Sequence, residues 1–196
     1  MGSYIKKLEE FEKELKIKKE GITVTVSGTS GSGKSNISRA IAKEFRLKHV
    51  SVGDIFRNLS KERKMVFEDF TAVREKEIDF RADEETLKLA KAGKIVLNGR
   101  LTAWVAGDNA DVKIFVTCDI NEKAKRVSRR DRKTVAEAKK DLERRDVEDF
   151  RVYKELYGLD MNDLGIYNEV IDTTRISMEE SARIAIESIK AHLKSK

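Results

Sequence analysis

The residues Gly28-Thr29-Ser30-Gly31-Ser32-Gly33-Lys34-Ser35 have the spacing G-x-x-x-x-G-K-S, in which each residue type has a task around phosphate. Glycines at 28, 31 and 33 let the backbone take positive φ and approach a ligand closely. Successive N–H groups then point inward as an anion-binding nest. A helix starting at the end of the run adds free N–H donors and the positive end of its dipole. Lys34 would bridge the β- and γ-phosphates, and the Ser35 hydroxyl would take one position on Mg²⁺. Thr29, Ser30, Ser32 and Asn36 complete the donor-binding turn. The alternative is a glycine-rich turn with a surface lysine. The flanks argue against it: the β-branched run Ile22 to Val26 leads in, and a helical pattern with Ile37, Ala40, Ile41 and Phe45 on its core face leads out. Strand, loop and helix in register describe a nucleoside triphosphate site.

A second set of residues can hold more phosphate. Arg57 and Arg100 each follow an expected strand, at the end where the phosphate loop also lies, and a planar guanidinium fork binds phosphate through two parallel hydrogen bonds. Singly, either could be a surface arginine. A helix from about Asn121 carries Arg126, Arg129 and Arg130, with Arg126 and Arg130 one turn apart on one face. Arg126 would suit the donor base and Arg130 the transferring phosphate, with a solvated charged face as the plain alternative. On the next helix Arg145 and Asp149 repeat the i,i+4 step. An acceptor phosphate and a polar base or ribose edge are natural partners for them, and so is an i,i+4 salt bridge.

The elements that must position these side chains are readable in order. Residues 3 to 19 place Ile5, Leu8, Phe11 and Leu15 at helical steps, so residues 1–20 are expected to be an amphipathic appendage that docks on the domain or on a partner. Met1-Gly2-Ser3 could also be a cloning remnant. His49 to Gly53 reads as a short strand and turn, and Asp54 opens a helix. Residues 58–92 are charged and strand-free, a helical insertion between two strands. Lys94 to Arg100 and Val112 to Thr117 read as strands, the first apolar at its centre as a buried parallel strand is. Thr134 to Glu137 has capping-box spacing, so a helix starts there. Val170 to Thr173 is the last strand, and Ser177 caps a closing helix with Ile184, Ile186 and Ile189 inward. Strands alternating with helices imply a parallel α/β sheet of one domain, residues 21–196, with ligands at the carboxyl ends of its strands.

Composition narrows the function classes. The chain has 196 residues, 39% hydrophobic and 39% charged, with no apolar run of membrane-spanning length and no signal-peptide core behind its N-terminal lysines. One cysteine, Cys118, forms no internal disulfide and is expected to be buried, which fits a cytoplasmic protein. His49 and His192 read as structural. The net charge of +6 equals the surplus of 13 Lys/Arg over 7 Asp/Glu between Lys123 and Lys154. A basic surplus confined to one helical stretch suits something that closes over phosphates better than a nucleic-acid surface.

Taken in series, Gly28 to Ser35, S-V-G-D-I-F-R (Ser51 to Arg57) and V-L-N-G-R-L-T-A-W (Val96 to Trp104) resemble the nucleoside monophosphate kinases, and more narrowly the archaeal type of cytidylate kinase. R-V-S-R-R, E-R-R-D-V-E-D, Y-K-E-L-Y-G-L-D and I-Y-N-E-V-I-D-T-T are similar to that family's closing segments, so the resemblance covers residues 21 to 190. It implies a P-loop kinase fold: a five-stranded parallel sheet flanked by helices, a helical monophosphate-binding insertion (58–92) and a short lid (129–150). It also implies site roles. Arg57, Arg100 and Arg145 would bind the acceptor phosphate, Ser51, Gly99, Asp83 and Asp149 the rest of the acceptor, and Arg126 and Arg130 ATP and the transition state. Three positions depart from the family pattern. Glu84-Glu85 stand where a basic pair is usual, Val152 stands near an expected arginine, and Lys34 stands where archaeal members often carry threonine.

The expectation is therefore a Mg²⁺-dependent kinase moving the γ-phosphoryl of ATP to CMP or dCMP. Lys34, Arg130, Arg57 and Arg145 would neutralise the charge between the nucleotides. The partners are small-molecule nucleotides rather than nucleic acid or membrane, and the chain is a monomer or weak dimer. The alternatives are an adenylate or uridylate kinase on the same scaffold, or a non-catalytic nucleotide-binding or RNA-associated protein.

Overall fold

The computed structural model describes residues 3–62 and 76–195; of the expected insertion, residues 63–75 lie outside the described residues. Five parallel strands form one sheet: β1 (Thr23–Ser27), β2 (Lys48–Ser51), β3 (Ile95–Asn98), β4 (Val112–Thr117) and β5 (Glu169–Asp172), in the order β2-β3-β1-β4-β5. The order puts β1 at the centre, so the loop that leaves it lies between the loops that leave β3 and β4. Register is set by pairs such as Val26 with Asn98 and Ser27 with Phe115.

β1 shows why these residues make a central strand. Its sequence T-V-T-V-S is buried throughout, yet its two faces differ. Val24 and Val26 join Ile114, Val116 and Ile171 in a core shared with α2 (Lys34–Glu44) and α8 (Met178–Lys194), through Ile37, Ile41, Ala185 and Ile189. On the opposite face Thr23 Oγ1 donates to Ala90 O at 2.7 Å, and Ser27 Oγ lies 3.0 Å from Thr102 Oγ1. There α4 (Lys76–Ala92) and α5 (Thr102–Ala106) cover the sheet, and Ile95, Leu97, Ala90 and Ala106 make the apolar contact. Buried hydroxyls with partners are tolerated in a core strand.

α3 (Val52–Glu62) follows β2 without a turn, starting earlier than the Asp54 expected. After β4, α6 (Ile120–Asp131) is capped by Asp119, whose carboxylate accepts from Asn121 N and Glu122 N. α7 (Val135–Val152) opens on the expected capping box, with both reciprocal Thr134–Glu137 bonds present. α6 and α7 pack through Ala124, Val127, Ala138 and Leu142. α7 runs directly into a π-helical turn, Tyr153–Tyr157, which brings both tyrosines into a second core.

That second core is completed by α1 (Ser3–Glu14). Tyr4 and Leu8 are buried against Leu87, Leu101, Val105, Val152, Tyr153 and Tyr157, and the Tyr4 ring meets Phe80 and Tyr157 edge-on at 5.1 and 4.8 Å. The helical spacing predicts a helix to residue 19, whereas α1 ends at Glu14. Residues beyond it are drawn to the amino ends of the inner strands β3 and β4 instead. Lys19 Nζ donates to Asp111 Oδ2 at 2.6 Å and Asn109 O at 2.9 Å, and Glu20 N donates to Ala92 O at 2.9 Å. In α8 the buried positions are Ser181, Ala185 and Ile189, with Ile184 and Ile186 only partly covered. Cys118 is buried, and His49 meets Ser38 Oγ at 2.9 Å. Among the described residues no helix is long and apolar enough to cross a membrane.

Candidate active site

The loop Gly28–Ser35 leaves β1 at its carboxyl end and turns into α2. Gly28 has φ +145°, and a Cβ there would lie 2.2 Å from Val116 O, so only glycine lets the chain pass beside β4. Gly33, at φ 93°, is the N-cap of α2 and provides no side-chain cap, which leaves the helix's first amides facing the loop. Ser32 Oγ and Lys34 Nζ both donate to Thr29 O, at 2.9 Å each, and draw the loop into a closed cup.

Lys34 as a whole is half-buried, but its ammonium end is enclosed. That desolvation, reinforced by the nearby positive charge of Arg100, lowers its pKa to about 7. An ammonium held this way gains most from an anion. Ser35 Oγ accepts from Asn98 Nδ2 at 3.1 Å, so the end of β3 fixes the hydroxyl. Asn98 is buried, and its Oδ1 has no partner among the described residues.

Among the described residues, four cations ring the cup at different depths. Arg100, just after β3, donates to Ser30 Oγ at 2.9 Å and pairs with Asp149 of α7. Lys123 of α6 donates to Thr29 Oγ1 at 3.2 Å and to Asp146 Oδ2 at 3.1 Å. Arg126 donates through Nη1 and Nη2 to Oγ1 and O of Thr173, at 2.9 and 2.7 Å. The Thr173 hydroxyl in turn donates to Ser32 O at 2.8 Å, which ties the end of β5 to the loop. Arg130 forks onto its neighbour Asp131 at 2.6 and 2.9 Å, and it is close enough to contribute to the lowering of Lys34's pKa. Beside this ring, beyond β4 and β5, lies an open groove of about 590 Å³ lined by Thr117, Cys118, Asp119, Asp172, Thr174, Arg175 and Ile176.

The cytidylate kinase-like family model matches residues 23–175, which span all five strands and every cation of the ring. The chain belongs to this family. Among curated relatives, the cytidylate kinase of Pyrococcus horikoshii is 40% identical over 163 residues, 82% of this chain and 84% of that protein. That of Pyrobaculum aerophilum is 37% identical over 168 residues, 85% and 91% of the two chains. Solved structures agree on the fold alone. An uncharacterized protein from Eubacterium ventriosum superposes with a TM-score of 0.69 at 17% identity, covering 87% of this chain and 99% of that one. A shikimate kinase from Acinetobacter baumannii gives 0.58 at 14% identity, covering 94% and 97%.

Set beside this kinase family, the residues expected from sequence divide into two groups. Those of the loop, with Arg100, Arg126 and Asp149, converge on the cup; Gly99 lies beside them, its N–H donating to Val26 O at 3.2 Å. Ser51 pairs with Asn98 in register at the end of β2. Arg57 and Arg100 are not at equivalent strand ends, because Arg57 sits on α3, half-exposed and paired with Asp54. The Arg145–Asp149 i,i+4 bridge does not form: Asp149 turns to Arg100, and Arg145 is exposed with no ion pair among the described residues. Asp83 is buried in the second core, accepting from Tyr157 Oη, rather than facing the cup. Asn36 is exposed at the first turn of α2, its Nδ2 2.8 Å from Met178 Sδ.

Sequence reasoning missed Lys123, Asp146, Thr173 and Asn98 as site residues. Lys123 was one charge in a basic helix and Asp146 one acid in another. Only their pairing across 23 residues separates them from solvated neighbours.

Proposed function

We propose that this protein transfers the γ-phosphoryl group of ATP to CMP or dCMP, giving ADP and the diphosphate. The observation that carries the reading is Arg100, bonded to the donor loop at Ser30 and paired with Asp149 of α7. A donor site alone has no use for a cation shared between the loop and a second helix; a transfer between two phosphates does.

ATP would lie with its β- and γ-phosphates in the cup, on the free amides of α2 and on Lys34, and with its base toward the groove beyond Thr173, next to Arg126. No strong general base is required, because the acceptor phosphate is already an anion. Lys34 and Arg100 neutralise charge where the γ-phosphoryl passes between the nucleotides. Arg57, Arg130 and Arg145 reach the reacting group only after α3, α6 and α7 close over the ligands, since Arg57 and Arg130 are paired locally and Arg145 faces outward. Asp149, released from Arg100 by the acceptor's phosphate, would meet the acceptor nucleoside.

The Ser35 hydroxyl, oriented by Asn98, fits one ligand position on Mg²⁺, which when bound would neutralise the β- and γ-phosphates. Among the described residues no group of three His, Cys, Asp or Glu side chains is placed to hold a metal, which suits an ion carried in by the nucleotide.

The test is a coupled ADP-release assay with ATP and Mg²⁺, offering CMP, dCMP, UMP, AMP and GMP in turn. Turnover confined to CMP and dCMP is expected. Turnover with AMP or UMP instead would move the substrate and trace to the Glu84-Glu85 departure on α4, whereas no acceptor-dependent turnover would overturn the reading.

A further inference from the structure

Two consecutive hydroxyls of the phosphate loop are each held by a cation from a different element, and both cations are neutralised by one helix. Thr29 Oγ1 accepts from Lys123 of α6, which pairs with Asp146 at 3.1 Å; Ser30 Oγ accepts from Arg100 after β3, which pairs with Asp149. Asp146 and Asp149 are three residues apart on α7 and so share a face.

The Lys123 bridge is built in. Lys123 is buried at 7% exposure, rare for an ammonium without a partner. Its stem shapes the loop: a Cβ on Gly31 would meet Lys123 Cβ at 3.1 Å and Val127 Cγ2 at 3.2 Å. Asp146 Oδ1 is buried with no hydrogen-bond partner among the described residues, and Asp146 lines a cavity of about 10 Å³ with Gly28, Thr29, Arg100 and Asp149. Lys123 is the only ion-pair partner of Asp146 among the described residues. The transfer step described above uses neither residue.

We infer that Lys123 and Asp146 are positioning residues that couple the phosphate loop to α7, so that donor and acceptor strengthen each other's binding. The inference rests on the proposed function, which places the donor in the loop and the acceptor on α7. Donor phosphates entering the cup compete with Asp146 for Lys123, as the acceptor's phosphate competes with Asp149 for Arg100. As Lys123 and Arg100 turn toward phosphate, α7 is freed to bring Asp149 to the acceptor nucleoside. The coupling is reciprocal, because it is a free energy shared by the two sites.

The experiment measures, by calorimetry, the Kd of the β,γ-imido analogue of ATP with Mg²⁺, alone and with saturating CMP. For the unaltered protein the analogue is expected to bind about fivefold or more tightly with CMP present, a coupling of the ordinary size. In the double variant Lys123→Met/Asp146→Leu, which leaves no uncompensated buried charge, that ratio falls to about one, and CMP alone binds as tightly as it binds the unaltered protein with the analogue present, because α7 is already free. Asp146→Asn, which keeps the side chain's shape, shows the same collapse, and Lys123→Arg keeps the ratio. A ratio near one in the unaltered protein, or a ratio retained in both Asp146 variants while only the melting temperature falls, overturns the inference. Failure of CMP to bind the unaltered protein refutes the acceptor assignment instead, and the ratio is then measured with whichever monophosphate supports turnover.

Discussion

Lys34 is held at a cost that the free protein bears and the nucleotide removes. Its pKa of about 7 lies below the ordinary 10.5, so between those values the unfolded chain binds the proton more tightly than the folded one. This group's contribution to stability is therefore smallest below pH 7, rises as pH climbs from about 7, and is complete only above about 10.5. Lys34→Met removes that dependence. Urea midpoints of the ligand-free protein measured from pH 7 to 9 should rise for the unaltered chain relative to Lys34→Met, while the variant has no detectable turnover. A parallel pH response in both proteins would place the Lys34 ammonium in water. Arg100 and Arg57 separate by their present partners. Hydrogen bonds to charged groups are worth about 1.5–3 kcal/mol, so Arg100→Ala should lose about ten- to hundredfold in kcat/KM for CMP. Arg57→Ala should raise the KM for CMP far more than that for ATP. An unchanged KM for CMP in the Arg57 variant would remove it from the acceptor site.

The elements explain which parts of this site a sequence can show. The loop is contiguous, and its glycines, lysine and serine carry their chemistry within eight positions, flanked by a period-two run and a period-3.6 run. The capping box Thr134–Glu137 is equally local and forms with Glu137 N donating to Thr134 Oγ1 at 3.2 Å and Thr134 N donating to Glu137 Oε2 at 2.8 Å. What is not legible is any choice between a near partner and a distant one. Asp149 has Arg145 one turn away and pairs with Arg100 instead; Asp83 looks like an acceptor ligand and is taken by Tyr157, 74 residues on. Those choices depend on how α4 and α7 pack, which spacing along one helix does not encode. The end of α1 failed for the same reason, since Lys19 found Asp111 at the amino end of β4. The cap matters for the site because α7 carries both acids, Asp146 and Asp149, that pair with the cations at the loop. Thr134→Ala should cost about 1 kcal/mol of stability, read as a lower melting temperature, with turnover at 25 °C kept within about twofold. A loss of turnover far beyond that, without a change in melting, would mean that the start of α7 contacts substrate.

At the scale of the molecule, two cores meet at the site. The first, between the sheet and α2 and α8, packs the strand and the helix that flank the phosphate loop; the second joins α1, α4, α5 and the π-helical turn, and so underlies the elements expected to hold the acceptor. α1 belongs to the second core through Tyr4 and Leu8, and its Glu12 also receives hydrogen bonds, from Lys91 Nζ at its carbonyl and from Asn109 Nδ2 at its carboxylate. It lies outside residues 23–175, which the family model matches, yet it buries apolar surface that would otherwise face water. A buried leucine truncated to alanine costs about 2–5 kcal/mol, so Leu8→Ala should lower the melting temperature by several degrees. If the second core is the acceptor's side, as the proposed function has it, the functional loss should be unequal. The KM for CMP rises while the Kd of the ATP analogue, which rests on the first core, stays within about twofold. Measuring both constants on Leu8→Ala and on Ile189→Ala, its counterpart in the first core, decides the point. If the two cores serve separate substrates, Leu8→Ala weakens the acceptor and Ile189→Ala weakens the donor. Equal losses of both ligands in both variants would mean that the two cores unfold as one cooperative unit and that α1 is a stabilising strut with no preference for either substrate.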